Sequence, residues 1–350
     1  MSTKSTKDEV DDFNSELLAD MLRSRGLIGA QALKVTRLTG GQSNPTFRVN
    51  AGDRAYVLRK KPAGHLLPSA HAVDREYRVI GALRGSDVPV PEVFFYSDDA
   101  SVVGTPFYVM EFLDGRVWSD QSLPGIEPAE RRAVYAEMNR VMAALHRVEP
   151  DTVGLSDFGR AGNYFGRQIT RWTRQYNDSR THDIAAMDAL IDWLPQRIPP
   201  GDETTIVHGD YRLDNLVFHR TDARIIGVLD WELATLGHPM ADFAYHCMSW
   251  HIPVDLWRGI GGLDLQDLGI PAATEYLQCY CDATSTSGVE HWDFYLAFNF
   301  FRIAAILQGI AKRAIDGSAA ASDAAETGHK AAPLAELGWE FAQRYDASRR

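Results

Sequence analysis

Ile206-Val207-His208-Gly209-Asp210-Tyr211-Arg212-Leu213-Asp214-Asn215-Leu216-Val217-Phe218, followed by Ile225-Ile226-Gly227-Val228-Leu229-Asp230-Trp231-Glu232, is the stretch around which the rest of the chain can be placed. Two short apolar runs rich in β-branched residues, Ile206-Val207 and Ile225 to Leu229, each end in polar residues, the pattern of buried strands that stop at a turn. Asp210, Asn215 and Asp230 therefore emerge near strand ends. An Asp followed five residues later by an Asn, and then by an Asp closing a buried strand, suits phosphoryl transfer. The first carboxylate can take a hydroxyl proton, while the amide oxygen and the second carboxylate can hold Mg²⁺ against nucleotide phosphates. A single Asp of this kind is ordinarily a turn or cap residue. The spacing of all three, each beside an apolar strand, is what points to chemistry.

The pattern His208-Gly209-Asp210-x-x-x-x-Asn215 followed by Leu229-Asp230-Trp231-Glu232 resembles the catalytic and metal loops of the aminoglycoside phosphotransferase and choline kinase superfamily, small-molecule relatives of the protein kinases. The resemblance implies an α+β, protein-kinase-like two-lobe fold, with an N-terminal antiparallel sheet plus helix and a larger, mostly helical C-terminal lobe. It implies ATP and Mg as cofactors, Asp210 as the catalytic carboxylate, and Asn215 and Asp230 as metal ligands. Protein kinases read His-Arg-Asp and Asp-Phe-Gly at these places. Here Gly209 replaces the Arg and Trp231 the Phe, so a phosphorylated activation loop has no evident partner. Arg212 stands where protein kinases place a basic residue near the transferred phosphate. It could stabilise charge there, or pair with Asp214 or Glu232. His208 reads as a hydrogen-bonded scaffold residue, because Asp210 already has the reach of a base.

Towards the N-terminus, Thr39-Gly40-Gly41-Gln42-Ser43-Asn44 lies between strand-like runs at 35–38 and 46–49. Gly-Gly alone fits a plain hairpin turn as well as a phosphate-covering loop. In the second reading Gly41 lets backbone N–H groups approach phosphate oxygens, and Ser43 adds a hydroxyl donor. Tyr56-Val57-Leu58-Arg59 resembles the third kinase strand, whose basic residue steadies the nucleotide. The usual Lys is an Arg here, which keeps the charge and can grip an oxyanion with two parallel hydrogen bonds. Lys60 and Lys61 are neighbouring alternatives, and strand alternation sends residue 60 to the face opposite residue 59. A helix over 68–83 carries Val73, Tyr77 and Ile80 on one face. Glu76 beside that stripe resembles the helix glutamate that pairs with the strand-three cation; a solvated pairing with Arg75 or Arg78 is the alternative. Strands at 93–96 and 105–112 follow. The resemblance makes their end the hinge, with backbone groups near Glu111 and Leu113 reading the adenine edge.

The expected division is a disordered start over 1–14, a nucleotide-binding lobe over 15–113 beginning with a helix at 15–25, and a catalytic and acceptor-binding lobe over 114–350. Helical spacing marks 128–148, and later helices fall near 271–281, 291–315 and 332–345. Residues 318–332, rich in Ala, Ser and Gly, read as a mobile connection. Interleaved Arg and aromatic residues over 163–177 could bind an anionic substrate or form one amphipathic helix. Gly237-His238-Pro239-Met240-Ala241-Asp242 matches a family segment that commonly reads Gly-Asp-Pro-x-x-Asp. His238 departs from it, and Asp242 is expected to hold neighbouring backbone and cap a helix.

The chain carries 36 basic and 47 acidic residues, a formal charge of -11 that speaks against sequence-independent nucleic-acid binding. Three cysteines, Cys247, Cys279 and Cys281, are too few and odd for a disulfide framework and fit a reducing cytoplasm. The apolar run 294–311 is interrupted by Asn299, Arg302 and Gln308, which favours a core helix over a membrane span. No partner beyond a small-molecule alcohol acceptor is expected, and oligomeric state stays open. No Gly-x-x-x-x-Gly-Lys-[Ser/Thr] loop occurs.

The resemblance thus implies an ATP-dependent small-molecule O-phosphotransferase. The run 40–47 and Arg302-Ile303-Ala304-Ala305-Ile306-Leu307-Gln308-Gly309 look most like the kinase domains fused to acyl-CoA dehydrogenases and their free-standing bacterial relatives. That similarity implies a hydroxyacyl-CoA or hydroxy acid as acceptor. An aminoglycoside-type antibiotic kinase, a nucleotide-binding pseudokinase scaffold and nucleotidyl transfer on the same fold are the competing readings.

Overall fold

The computed structural model describes residues 13–38, 44–64, 71–286, 288–317 and 324–350. The chain divides into two compact units, Met1–Gly115 with Ile226–Glu232, and Arg116–Ile225 with Leu233–Arg350.

In the first unit β1 (Lys34–Arg37), β2 (Thr46–Ala51), β3 (Arg54–Lys60), β4 (Val93–Ser97) and β5 (Phe107–Glu111) form an antiparallel sheet in the order β1-β2-β3-β5-β4. Along β2 every second residue is buried, which sends Phe47, Val49 and Ala51 to one face. They pack with Leu18 and Leu22 of helix α1 (Ser15–Ser24) and with Val102 and Val103 of the one-turn helix α3 (Ala100–Val103). Asn14 caps α1 by accepting from Leu17 N–H at 3.1 Å, and Glu16 in its first turn suits the helix dipole. Helix α2 (Val73–Leu83) packs on β4 and β5. It starts later than the periodicity suggested; residues 68–70 of the expected range lie outside the described residues.

Alternation along β3 sends its two basic residues to different surroundings. Lys60 Nζ donates to Val103 O at 2.7 Å and lies 5.2 Å from the Phe13 ring, on the α1 and α3 side. Arg59, one residue away on an alternating strand, meets Glu76 of α2 instead. Lys61 follows the strand end. β8 (Ile225–Val228) contributes to the first unit through Val228 N–H, which donates to Pro89 O at 2.8 Å. Gly227 lies so close to the Leu113 side chain that a Cβ there would force that side chain to move.

The second unit is mainly helical. Its helices are α4 (Pro128–His146), α5 (Tyr164–Ser179), α6 (Ala185–Trp193), α7 (Pro239–Cys247), α8 (Leu265–Leu268), α9 (Ala273–Thr284), α10 (Trp292–Ile315), α11 (Ala324–His329) and α12 (Ala331–Ala347). Two of these, α11 and the start of α12, occupy much of the stretch expected to be a mobile connection; residues 318–323 lie outside the described residues. β6 (Thr205–Val207) pairs antiparallel with β9 (Thr235–Gly237), Ile206 opposite Leu236, while β7 (Leu216–Phe218) bridges to Arg116.

α10 is the central helix, packed against α12, α11, α5 and α7. It is long and apolar enough to cross a membrane, yet 83% of its most apolar window is buried inside the protein, as befits a core helix. The polar residues that interrupt it are buried and each donates a hydrogen bond, while the amide oxygens of Asn299 and Gln308 have no hydrogen-bond partner among the described residues. Asn299 Nδ2 donates to Ala241 O at 2.9 Å, Gln308 Nε2 to Ser179 O at 3.0 Å, and Arg302 Nη2 to Gly209 O at 2.6 Å. Buried polar groups with partners add specificity instead of the cost of an unmet donor. Cys247 and Cys281 are buried free thiols, and Cys279 is an exposed one.

Candidate active site

The second unit builds one constellation at the end of β6. His208, Gly209 and Asp210 follow the strand, and Gly209 turns the chain in the left-handed region at φ 81°. A Cβ there would come within 2.9 Å of Leu233 O, so glycine is required on two counts. The loop is pinned by Asp242 on α7. Its Oδ2 accepts from His208 N–H at 2.6 Å and its Oδ1 from Gly209 N–H at 2.8 Å. His146 Nε2 donates to the same carboxylate at 3.2 Å, and its Nδ1 is hydrogen-bonded with Tyr280 OH at 2.6 Å. Burial opposes the charge on Asp242, but the hydrogen bond and charge from His146 and the loop N–H groups outweigh it and lower its pKa. Asp242 thus holds backbone as expected. The helix cap is not Asp242 but His238, whose Nδ1 accepts from Met240 N–H at 3.2 Å.

Held this way, Asp210 receives three side-chain donors. Tyr245 OH donates to Oδ1 at 2.5 Å, while Arg212 Nε and Asn215 Nδ2 donate to Oδ2 at 3.0 and 3.1 Å. Asn215 Nδ2 also donates to Asp210 O at 2.9 Å, which leaves its Oδ1 as the group suited to a cation. His208 Nδ1 accepts from Asp210 N–H at 3.2 Å, the scaffold role its position suggested. Burial, then the Asp210 charge, push the Tyr245 phenol well above its usual range, so it remains a donor. Arg212 Nη1 reaches Asp214 Oδ2 at 3.2 Å, one of the pairings open to it.

The first unit builds another constellation around Arg59, whose side chain is 9% exposed. Its Nη2 donates to Asp230 Oδ1 at 2.5 Å, and Nε lies 3.0 Å from Glu76 Oε2. Nε is not aligned to donate, so that contact is an ion pair without a directed hydrogen bond. Glu232 stands farther off at 3.9 Å. Glu76 is fully buried and accepts from Asn44 Nδ2 at 2.6 Å and from Tyr108 OH at 3.1 Å. Burial, reinforced by the Asp230 and Glu232 charges and opposed by Arg59, pushes its pKa up to about 7. Burial opposes the Arg59 charge, but the surrounding carboxylates, Glu76 foremost, raise its pKa. The solvated pairing of Glu76 with Arg75 or Arg78 is therefore not what forms. Asp230 sits at φ 64°, a conformation tolerated by Asp at some cost and concentrated at functional sites.

Gly41 and Ser43 lie outside the described residues. Glu111 ends β5 with an exposed side chain, its N–H donating to Glu92 O at 2.8 Å, and Leu113 packs beside Gly227. Among the described residues no group of three His, Cys, Asp or Glu side chains could cage a metal. Mg²⁺ is typically held by one or two protein oxygens plus phosphates and water, and the Asp230 carboxylate and Asn215 Oδ1 are hard oxygen donors of that kind.

Sequence reasoning missed Tyr245, His146 and the role of Arg302. Tyr245 had a signal: it lies three residues after Asp242, on the same helix face.

The pattern of the phosphotransferase enzyme family matches residues 34–278. The chain is 46% identical over 325 residues to acyl-CoA dehydrogenase family member 10 of Mus musculus, covering 91% of this chain and 30% of that protein. It is 43% identical over 330 residues to the probable acyl-CoA dehydrogenase IBR3 of Arabidopsis thaliana, covering 89% and 40%. It therefore spans less than half the length of these curated relatives. A solved Ralstonia eutropha JMP134 chain, described as a candidate aminoglycoside phosphotransferase, is 53% identical with a TM-score of 0.87, covering 95% and 99%. A thermostable mutant of aminoglycoside phosphotransferase APH(4)-Ia, solved with AMP-PNP and hygromycin B, shares the fold at 18% identity and a TM-score of 0.59, covering 93% and 99%. Sheet, helical unit, matched pattern and relatives agree: the chain belongs to the phosphotransferase enzyme family, on a kinase-like fold.

Proposed function

We propose that the protein is an ATP- and Mg²⁺-dependent small-molecule kinase that moves the γ-phosphoryl group to a hydroxyl of a metabolite, a hydroxyacyl-CoA or a hydroxy acid. The observation that carries this reading is the Asp210 carboxylate, oriented by Tyr245, Arg212 and Asn215. A carboxylate has about four lone-pair positions. Three are occupied by these donors, and one is left for an acceptor O–H.

In the proposed reaction Asp210 accepts that hydrogen bond and orients the oxygen towards the γ-phosphorus. The new O–P bond forms as the bond from phosphorus to the bridging oxygen of ADP breaks, and the hydroxyl proton passes to Asp210. Arg59, steadied by Glu76, carries a permanent positive charge suited to the nucleotide phosphates. Asn215 and Asp230 would hold Mg²⁺, which when bound neutralises charge on the phosphates. Arg212, anchored on Asp210 and Asp214, offers a cation beside the transferred group. Identity with the acyl-CoA dehydrogenase family members supports an acyl-type acceptor over an antibiotic.

The test incubates the full chain with ATP, Mg²⁺ and a panel of alcohols, hydroxy acids and hydroxyacyl-CoA esters, scoring the mass gain of one phosphate. The wild type is expected to add phosphate and release ADP. Asp210→Asn should lose about 10²- to 10⁴-fold in rate while still binding ATP. ATP binding without turnover on any acceptor would favour a scaffold, and pyrophosphate release would favour nucleotidyl transfer.

A further inference from the structure

Next to Asp210 the second unit shapes a niche walled by Arg212, Tyr245, His246, Ser249, Trp257 and Arg258. Its volume is about 30 Å³, close to the share of one water molecule in the liquid. That is room for a small polar group at the bottom of an open recess. No lining residue is acidic. Burial pushes the His246 pKa down to about 4, so near neutral pH the positive charge of the niche comes from the two arginines.

Those arginines are tied together. Arg212 Nη1 and Arg258 Nη1 meet the same Asp214 Oδ2 at 3.2 and 3.1 Å, and Arg212 Nε also donates to Asp210. Nη1 is the nitrogen of Arg258 engaged among the described residues, so the rest of its fork remains for an incoming oxyanion.

The Arg258 side chain is exposed, but the backbone that carries it is fixed. Its backbone is left-handed at φ 50°, and Gly259 sits against Ile252 O too tightly for any Cβ. Ile260 N–H donates to Ser249 O at 2.8 Å and Gly261 N–H to Ile252 O at 2.9 Å. A strained conformation persists where its surroundings determine it, and such positions cluster at ligand clamps.

We propose that Arg258, with Arg212, seats an oxyanion of the acceptor, so that the acceptors are hydroxylated anions. The oxyanion is either a carboxylate on the hydroxylated chain or a phosphate of a carrier such as coenzyme A. The inference rests on the kinase reading above and narrows it: a polycationic aminoglycoside offers no oxyanion for these two guanidinium groups.

The experiment starts from a metabolite extract incubated with the full chain, ATP and Mg²⁺, in which compounds gaining one phosphate are identified by mass. The acceptors are expected to be anionic before transfer. No phosphorylated product at all overturns the kinase reading and this inference with it. Neutral or cationic acceptors overturn the inference and leave the kinase reading standing. On the best acceptor, Arg258→Asn is the informative variant, because asparagine tolerates the left-handed region. Its acceptor KM should rise about 10- to 100-fold, the worth of a charge-assisted contact, with kcat and the KM for ATP within about threefold. Arg258→Lys should recover part of the loss. Derivatives lacking the carboxylate or the carrier phosphate decide which oxyanion is read: the correct one already mimics the KM defect in wild type and is insensitive to Arg258→Asn. An equal KM effect on all derivatives, or a fall in kcat with KM unmoved, overturns the proposal.

Discussion

Tyr245 shows what a single side chain adds to a catalytic carboxylate. It fixes Asp210 Oδ1 from 35 positions away in sequence, leaving Oδ2 to Arg212 and Asn215. Tyr245→Phe keeps the ring and removes the donor, and a lost hydrogen bond to a charged group is worth about 1.5–3 kcal/mol. In the proposed reaction kcat should fall by about tenfold or more with the KM for ATP unchanged, as steady-state kinetics would show; an unaltered kcat would remove Tyr245 from the site. Glu76 supplies a pH dependence. Its folded pKa of about 7 lies above its ordinary value of 4.5, so between those values the folded state holds a proton that the unfolded chain has released. Its contribution to stability is therefore present at and below pH 4.5 and is lost as pH rises towards 7. Denaturant titrations should show the wild type losing stability relative to Glu76→Gln across that window; the opposite slope would mean that Glu76 is ionised throughout. Asp210 and Asn215 were legible because strand, turn and spacing are local. The partners that fix the loop were not, since Asp242 lies 33 positions from Gly209 and Arg302 lies 93, and only folding brings them together.

Elements with a long period were the readable ones. α4 and α10 repeat their apolar residues over several turns, and β2 alternates strictly, so sequence and structure agree to within a few residues at their ends. β9 is three residues long, too short for an alternation to register, and α3 is a single turn. Yet β9 pairs with β6, the strand that leads into the Asp210 loop. The junction after β6 also depends on a residue without a side chain. Gly209→Ala would place a Cβ against Leu233 O and force a non-glycine residue to φ 81°, at a cost of about 1–3 kcal/mol. Denaturation midpoints should fall accordingly, and activity should fall further than stability because Asp210 is the next residue. A variant as stable and active as wild type would show that the loop tolerates another path.

At the scale of the whole molecule, the order of residues and the order of assembly part company. A linear reading places every residue on one side of a boundary, whereas Ile226–Glu232 belongs with Met1–Gly115. The reason is physical: Val228 bonds to Pro89, Gly227 fits against Leu113, and Asp230 meets Arg59. None of these contacts leaves a trace in local periodicity, although the resemblance did set Arg59 and Asp230 to work on one nucleotide.

This return of seven residues has a consequence for biosynthesis. When Gly115 leaves the ribosome, Arg59 and Glu76 are already made but Asp230 is not. The first unit waits for more than a hundred further residues before its last piece arrives, and a gene fragment cut at residue 115 would encode a guanidinium deprived of Asp230 and Glu232, with Glu76 alone beside it.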